Sequence, residues 1–81
     1  MSRISGKTDS DRRLRRLGEE IRARRKYVGL SQEALAVDAG IDRSHMGKIE
    51  RGERNVSLLN VIKIAVALRC KASEILADAG L

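Results

Sequence analysis

Phenylalanine, tryptophan and proline are absent from this 81-residue sequence, and tyrosine and cysteine occur once each. Without large rings the core must be built from Leu, Ile, Val and Ala, and the economical build is several short helices packed by aliphatic side chains. A lone cysteine, Cys70, excludes an intrachain disulfide and cannot supply a structural zinc site, so it is read as a small apolar residue in a reducing compartment. No apolar run approaches the roughly 20 residues that cross a bilayer, and the N-terminus lacks the apolar centre of a signal peptide. A cytoplasmic protein without membrane contact is expected. At this length the chain makes one domain that buries only part of its unfolded surface, so dimerisation would add burial.

Positive charge is plentiful: 17 Lys/Arg oppose 11 Asp/Glu, a net charge of +6. The excess is confined to residues 1–29, with ten Lys/Arg against four Asp/Glu, whereas residues 30–81 hold seven of each. A polyanionic partner is implied, but basicity alone does not identify it. Residues 1–10 are polar and without periodicity and are expected to form a flexible basic arm, leaving residues 11–81 as the folded domain.

Within that domain the apolar spacing is helical throughout, and no strand alternation appears. From Ser10 as N-cap, Leu14, Leu17, Ile21 and Val28 mark one helix face, and Gly29 ends the helix. The opposite face carries Arg12, Arg13, Arg15, Arg16, Arg22 and Lys26, which suits either a solvated surface or phosphate contact. Ser31 caps a second helix with Leu35 and Ala39 inward, and Gly40 stops it. Asp42 caps a third helix carrying Met46 and Ile49, closed by Gly52. Ser57 caps a fourth with Leu58, Val61, Ile62, Ala65 and Leu68 inward, and a short fifth spans "ASEILADAG". The fold class predicted is all-α, with five helices.

The segment from Gln32 to Ile49 holds the most specific signal. Its apolar residues fall at Leu35, Ala39, Ile41, Met46 and Ile49, with Ala36 fifth and Gly40 ninth counting from Gln32. Two helices joined by a three- or four-residue turn cross steeply, so a small side chain is needed where the axes approach, and Ala36 supplies it. The turn also needs positive φ, which Gly40 adopts without a Cβ penalty. This spacing predicts a helix-turn-helix. Rotating the third helix by about 100° per residue puts Ser44, Gly47, Lys48 and Arg51 away from Met46 and Ile49, with Arg43 at the N-terminal tip. Gly47 on such a face suggests that a surface comes very close to the backbone, as the floor of a major groove would. Arg43 can donate two hydrogen bonds to guanine, Lys48 can address the same acceptors, and Ser44 can reach a base edge or a phosphate. Gln32, at the N-terminus of the second helix, suits a phosphate, and Arg51, Arg54 and Asn55 flank it.

The stretch "LSQEALAVDAGIDRSHMGKIERGERNVSLLNVIKIAVAL" resembles the phage-repressor (Cro/cI, or Xre) helix-turn-helix family, and the likeness runs from about Leu17 to Leu76. Within that family, "IDRSHMGKIERGERNVSL" looks most like the controller proteins of restriction-modification operons. The resemblance implies a five-helix, lambda-repressor-like domain that binds a partly symmetric double-stranded operator as a homodimer and activates or represses transcription, with RNA polymerase a further partner. It implies phosphate contact by Gln32, base contact by Arg43, Ser44 and Lys48, and a base-edge or nearby backbone contact by Arg54. It also implies a pair between Glu50 and Arg25. His45 stands where controller proteins often carry an aromatic at a backbone contact; the alternative is a solvent-facing histidine, and no ligand cluster surrounds it to suggest a metal. Arg69 replaces a common Gly after helix 4 and Lys71 replaces the usual cap of helix 5, so the junction between helices 4 and 5 is expected to be less regular; Val56 replaces a frequent Pro.

Leu59 and Val66 are apolar where the family is usually polar, and the apolar ending includes Ile75 and Leu76. An isologous dimer through helices 4 and 5 is expected, placing two recognition helices about 34 Å apart, unless Leu59 and Val66 pack under the N-terminal arm. No nucleophile-base arrangement or phosphate loop points to an enzyme, and no cofactor is required. The rival functions are an antitoxin that binds DNA while neutralising a partner protein, and a protein-interaction module that does not bind DNA.

Overall fold

The computed structural model describes Asp9 and residues 12–81. Among these residues the chain forms α1 (Arg13–Val28), α2 (Gln32–Ala39), α3 (Arg43–Glu50), α4 (Leu58–Ala67) and α5 (Ala72–Asp78), with no strand. Three N-caps fall where the sequence puts them. The Ser31 and Ser57 hydroxyls accept from the Ala34 and Asn60 amides at 3.0 and 3.1 Å, and the Asp42 carboxylate accepts from the Ser44 and His45 amides at 3.1 and 3.4 Å. Ser10, the expected cap of α1, lies outside the described residues, as does the expected arm apart from Asp9. The Asp9 carboxylate itself receives the amides of Arg13 and Leu14 at 2.9 and 2.8 Å, so this residue of the expected arm belongs to the helix start.

All five helices end in the same hydrogen-bonded reversal. A residue at positive φ follows the last turn, its amide bonds back three residues, and the next amide bonds back five; the pairs are Gly29/Leu30, Gly40/Ile41, Gly52/Glu53, Arg69/Cys70 and Gly80/Leu81. Four of the five use glycine, and the fourth helix uses Arg69 at φ 60°. The junction expected to be irregular therefore has the regular geometry, held by a residue that bears a Cβ penalty there. Beyond it, Glu74 accepts from the Lys71 amide at 2.9 Å; a lysine ammonium has no lone pair with which to return the bond.

Ile21, Leu35, Met46, Ile49, Ile64 and Ile75 form the fully buried centre, with Leu17, Ala36, Ala39, Val61, Ala65 and Leu68 around them. Cys70 is half-buried against this cluster. Three expected core residues are exposed instead: Val28, Leu58 and Ile62. The buried stripe of α4 runs through Val61, Ile64, Ala65 and Leu68, which places Ile62 about 100° off it, and Leu58 sits in the first turn. Val28 lies in the last turn of α1 beside the reversal at Gly29. The apolar side chains that α4 leaves uncovered are Leu58, Leu59, Ile62 and Val66, a wider patch than the sequence suggested.

Candidate nucleic-acid interface

The bend between α2 and α3 is made as its spacing predicts. Gly40 sits at φ 68° and a Cβ there would touch nothing within 4 Å, so backbone conformation alone demands glycine. Ala36 is buried at the crossing, and the Ile41 amide returns to its carbonyl at 2.9 Å. Asp42 then opens α3, and the Ser44 hydroxyl also donates to its carboxylate. That hydrogen bond, with the His45 amide, holds the Asp42 carboxyl below the usual carboxylate range. Arg43, Ser44 and Arg51 are exposed along the outer side of α3, Lys48 and His45 are half-exposed, and Arg54 and Asn55 are exposed in the loop that follows.

Gly47 is the exception, because it is buried rather than facing solvent. A Cβ at Gly47 would lie 3.2 Å from both Arg51 Nη1 and Gln32 Oε1. The glycine makes room for these two side chains to lie across α3, so the closely approaching surface is first of all the protein's own.

Behind that covering sits a buried ion pair. Arg25 Nε and Nη2 donate to Glu50 Oε2 and Oε1 at 2.7 and 3.2 Å, with the two side chains 11% and 3% exposed. Arg25 Nη1 also donates to the Leu30 carbonyl at 2.9 Å. Gln32 Nε2 donates to Glu50 Oε1 at 3.1 Å, so the residue expected at a phosphate is oriented by the same carboxylate. The pair joins α1 to α3 and the amide joins both to α2. Arg22, Arg25, Gln32, Glu50 and Arg51 line a shallow cleft of about 260 Å³ here, which brings one arginine of the basic face of α1 beside the helix-turn-helix.

Close approach of α1 to the end of α3 requires Gly18, whose importance the sequence reading missed. A Cβ on it would fall 2.5 Å from the Glu50 carbonyl oxygen and nearer still to that of Ile49. A glycine inside a sixteen-residue helix costs about 1 kcal/mol relative to alanine, and that cost was the available signal. Glu53 was missed as well: Arg51 Nε donates to its Oε2 at 2.8 Å, on the exposed side of the site.

The expected dimer residues divide. Leu59 and Val66 are 61% and 70% exposed, whereas Ile75 is fully buried and Leu76 packs partly against the core. Ile75 is a core residue because α5 turns it toward α1 and α4, the two helices it packs on, and it cannot meet a partner subunit. Among the described residues no cluster of three His, Cys, Asp or Glu could hold a metal, and no helix is long and apolar enough to cross a membrane.

Residues 21–75 match the helix-turn-helix family. The chain is 42% identical over 65 residues to control protein C.SmaI of Serratia marcescens, covering 80% of this chain and 77% of the relative. The restriction-modification controller protein C.AhdI of Aeromonas hydrophila superimposes with a TM-score of 0.75 at 48% identity, covering 76% of this chain and 94% of that one. C.Esp1396I bound to a 19 base pair DNA duplex gives a TM-score of 0.75 at 28% identity, covering 85% and 96%.

Proposed function

This chain is a member of the phage-repressor-type (Xre) helix-turn-helix family, and we propose on that premise that it is a sequence-specific regulator of transcription. It binds a partly symmetric duplex as a homodimer, with α3 in the major groove. The observation that carries this is the outer face of α3: Arg43, Ser44 and Arg51 stand uncovered beside Gln32, on a helix fixed by a tight bend and a buried ion pair. In this arrangement Arg43, Lys48, Ser44 and Arg54 address base edges, while Gln32, His45, Arg51 and Asn55 meet the sugar-phosphate backbone. Arg22, at the cleft with Gln32 and Arg51, extends the phosphate contact onto α1. No catalytic group is needed, and the protein acts in the cytoplasm, where the DNA is. Where it activates, RNA polymerase is its second macromolecular partner.

The second copy docks on the stripe of Leu58, Leu59, Ile62 and Val66, a patch of the kind that monomers rarely leave in water. A selection from random duplexes, followed by titration at several salt concentrations, tests the function. Binding should weaken steeply with salt, and Arg43→Ala should erase much of the preference for the selected sequence without loss of fold. Equal affinity for selected and random duplex would refute it. Sedimentation of Val66→Glu should give a monomer if the stripe is the dimer contact.

A further inference from the structure

Glu53 stands on the cationic side of the molecule, where nothing in the proposed DNA contact uses it. Its backbone is held in place: its amide donates to the Lys48 carbonyl at 2.9 Å, and the preceding Gly52, at φ 73°, packs so tightly on α1 that a Cβ would meet Arg15 Cα at 2.5 Å. From that anchored point the carboxylate engages Arg51 with both oxygens, Nε to Oε2 at 2.8 Å and Nη2 to Oε1 at 3.4 Å. Both side chains are more than half exposed, and with Arg15, Glu19 and Arg22 they rim a groove of about 340 Å³.

A carboxylate gripping Nε and Nη2 occupies the same fork that a phosphate would take. The third nitrogen, Nη1, is turned back toward Gly47. The fork of Arg51 is therefore already filled when duplex arrives. We propose that Glu53 is a built-in competitor for the phosphate at Arg51, a positioning residue that lowers affinity for any duplex and is displaced when Arg51 moves onto the DNA backbone. The inference rests on the DNA-binding function proposed above. The hydrogen bond from Arg51, and then the charges of Arg51, Lys48 and Arg54, hold the Glu53 carboxyl below the usual carboxylate range, so it is ionised wherever the protein works.

The test uses a mixed-sequence duplex of about two helical turns, titrated by fluorescence anisotropy with the full chain at several salt concentrations. Glu53→Gln should tighten binding by up to about fivefold per protomer, the range of an exposed ion pair, with little change in the salt slope, because Arg51 neutralises the same phosphate in both proteins. Asp38→Asn adds the same charge beside Val28, Leu30, Ala67 and Arg69, away from α3, and should change the affinity little. In an Arg51→Gln background, Glu53→Gln should lose most of its effect. Weaker binding by Glu53→Gln would overturn the proposal, because Glu53 would then be orienting Arg51 for DNA. Equal gains with and without Arg51 would also overturn it, leaving only general repulsion between carboxylate and phosphate. A wild-type protein that binds no duplex even at low salt would refute the proposed function and this inference together, whereas the two preceding outcomes refute the inference alone.

Discussion

Gly18→Ala sets two physical effects against each other and asks which is larger. Helix propensity favours alanine by about 1 kcal/mol inside a helix, so a sequence-only expectation is stabilisation. The structure reverses that sign. The new methyl would lie 2.5 Å from the Glu50 carbonyl oxygen and 2.8 Å from its carbonyl carbon. These are backbone atoms, so relief requires α1 and α3 to part by roughly 0.7 Å rather than a rotamer change. Overpacking of this kind costs about 1–3 kcal/mol or more. The separation also stretches the Arg25–Glu50 bond, now 2.7 Å. A net loss of up to about 2 kcal/mol follows, and in a domain of this size each kcal/mol lowers the melting temperature by about 4–8 °C. The assay is thermal melting by circular dichroism at fixed protein concentration, since the proposed dimerisation would link stability to concentration. Gly47→Ala is the internal control. Its methyl meets only the ends of the Arg51 and Gln32 side chains, at 3.2 Å, which can give way. That variant should be neutral or more stable by up to about 1 kcal/mol. A Gly18→Ala protein melting at or above wild type would refute the close-packing argument.

Three further predictions concern stability. Arg69→Gly should stabilise the domain by about 0.5–1 kcal/mol, because the left-handed conformation at φ 60° no longer opposes a Cβ, with part of the gain lost to a freer unfolded chain; urea midpoints measure it. Glu50→Ala leaves the Arg25 guanidinium buried without its carboxylate and should cost about 3–5 kcal/mol, enough to unfold much of the population at 37 °C, as amide proton exchange would record. Acid should weaken the protein in a defined direction. The Asp42 and Glu53 carboxyls titrate below their ordinary range of about 4, so their contributions are complete above the unfolded values and are lost as pH falls through the folded ones. Urea midpoints should therefore drop between neutral pH and about pH 3, and Asp42→Asn should show a smaller drop.

What was legible in the sequence was local. Asp42, Ser31 and Ser57 announce helix starts because a cap is a short-range event, and Gly40 announces the bend because φ is a property of one residue. The pair of Arg25 and Glu50 was implied by family resemblance and is present. What the spacing could not reveal is how far a neighbouring element extends. Leu58 and Ile62 carry apolar side chains at helical intervals, yet burial depends on whether another helix lies over them, and none does. Gly47 was expected on an exposed face of α3, but two long side chains from Gln32 and Arg51 fold over it and bury it, an interaction written in no single periodicity. Ile75 was assigned to a subunit contact because its end of the chain is apolar, and α5 turns it inward instead. Glu53 went unnoticed because an acid in a charged run looks like ordinary solvation until its distance to Arg51 is known.

One carboxylate, Glu50, both locks two helices and fixes the amide of Gln32. The rotational freedom of that amide is thus surrendered during folding, and association with a ligand need not repeat a loss of roughly 0.5–1.5 kcal/mol per ordered side chain. An engineer who exchanged the ion pair for snug hydrocarbon could obtain a sturdier domain, but the Gln32 amide would lose its anchor, because Glu50 Oε1 serves the ion pair and that amide alike.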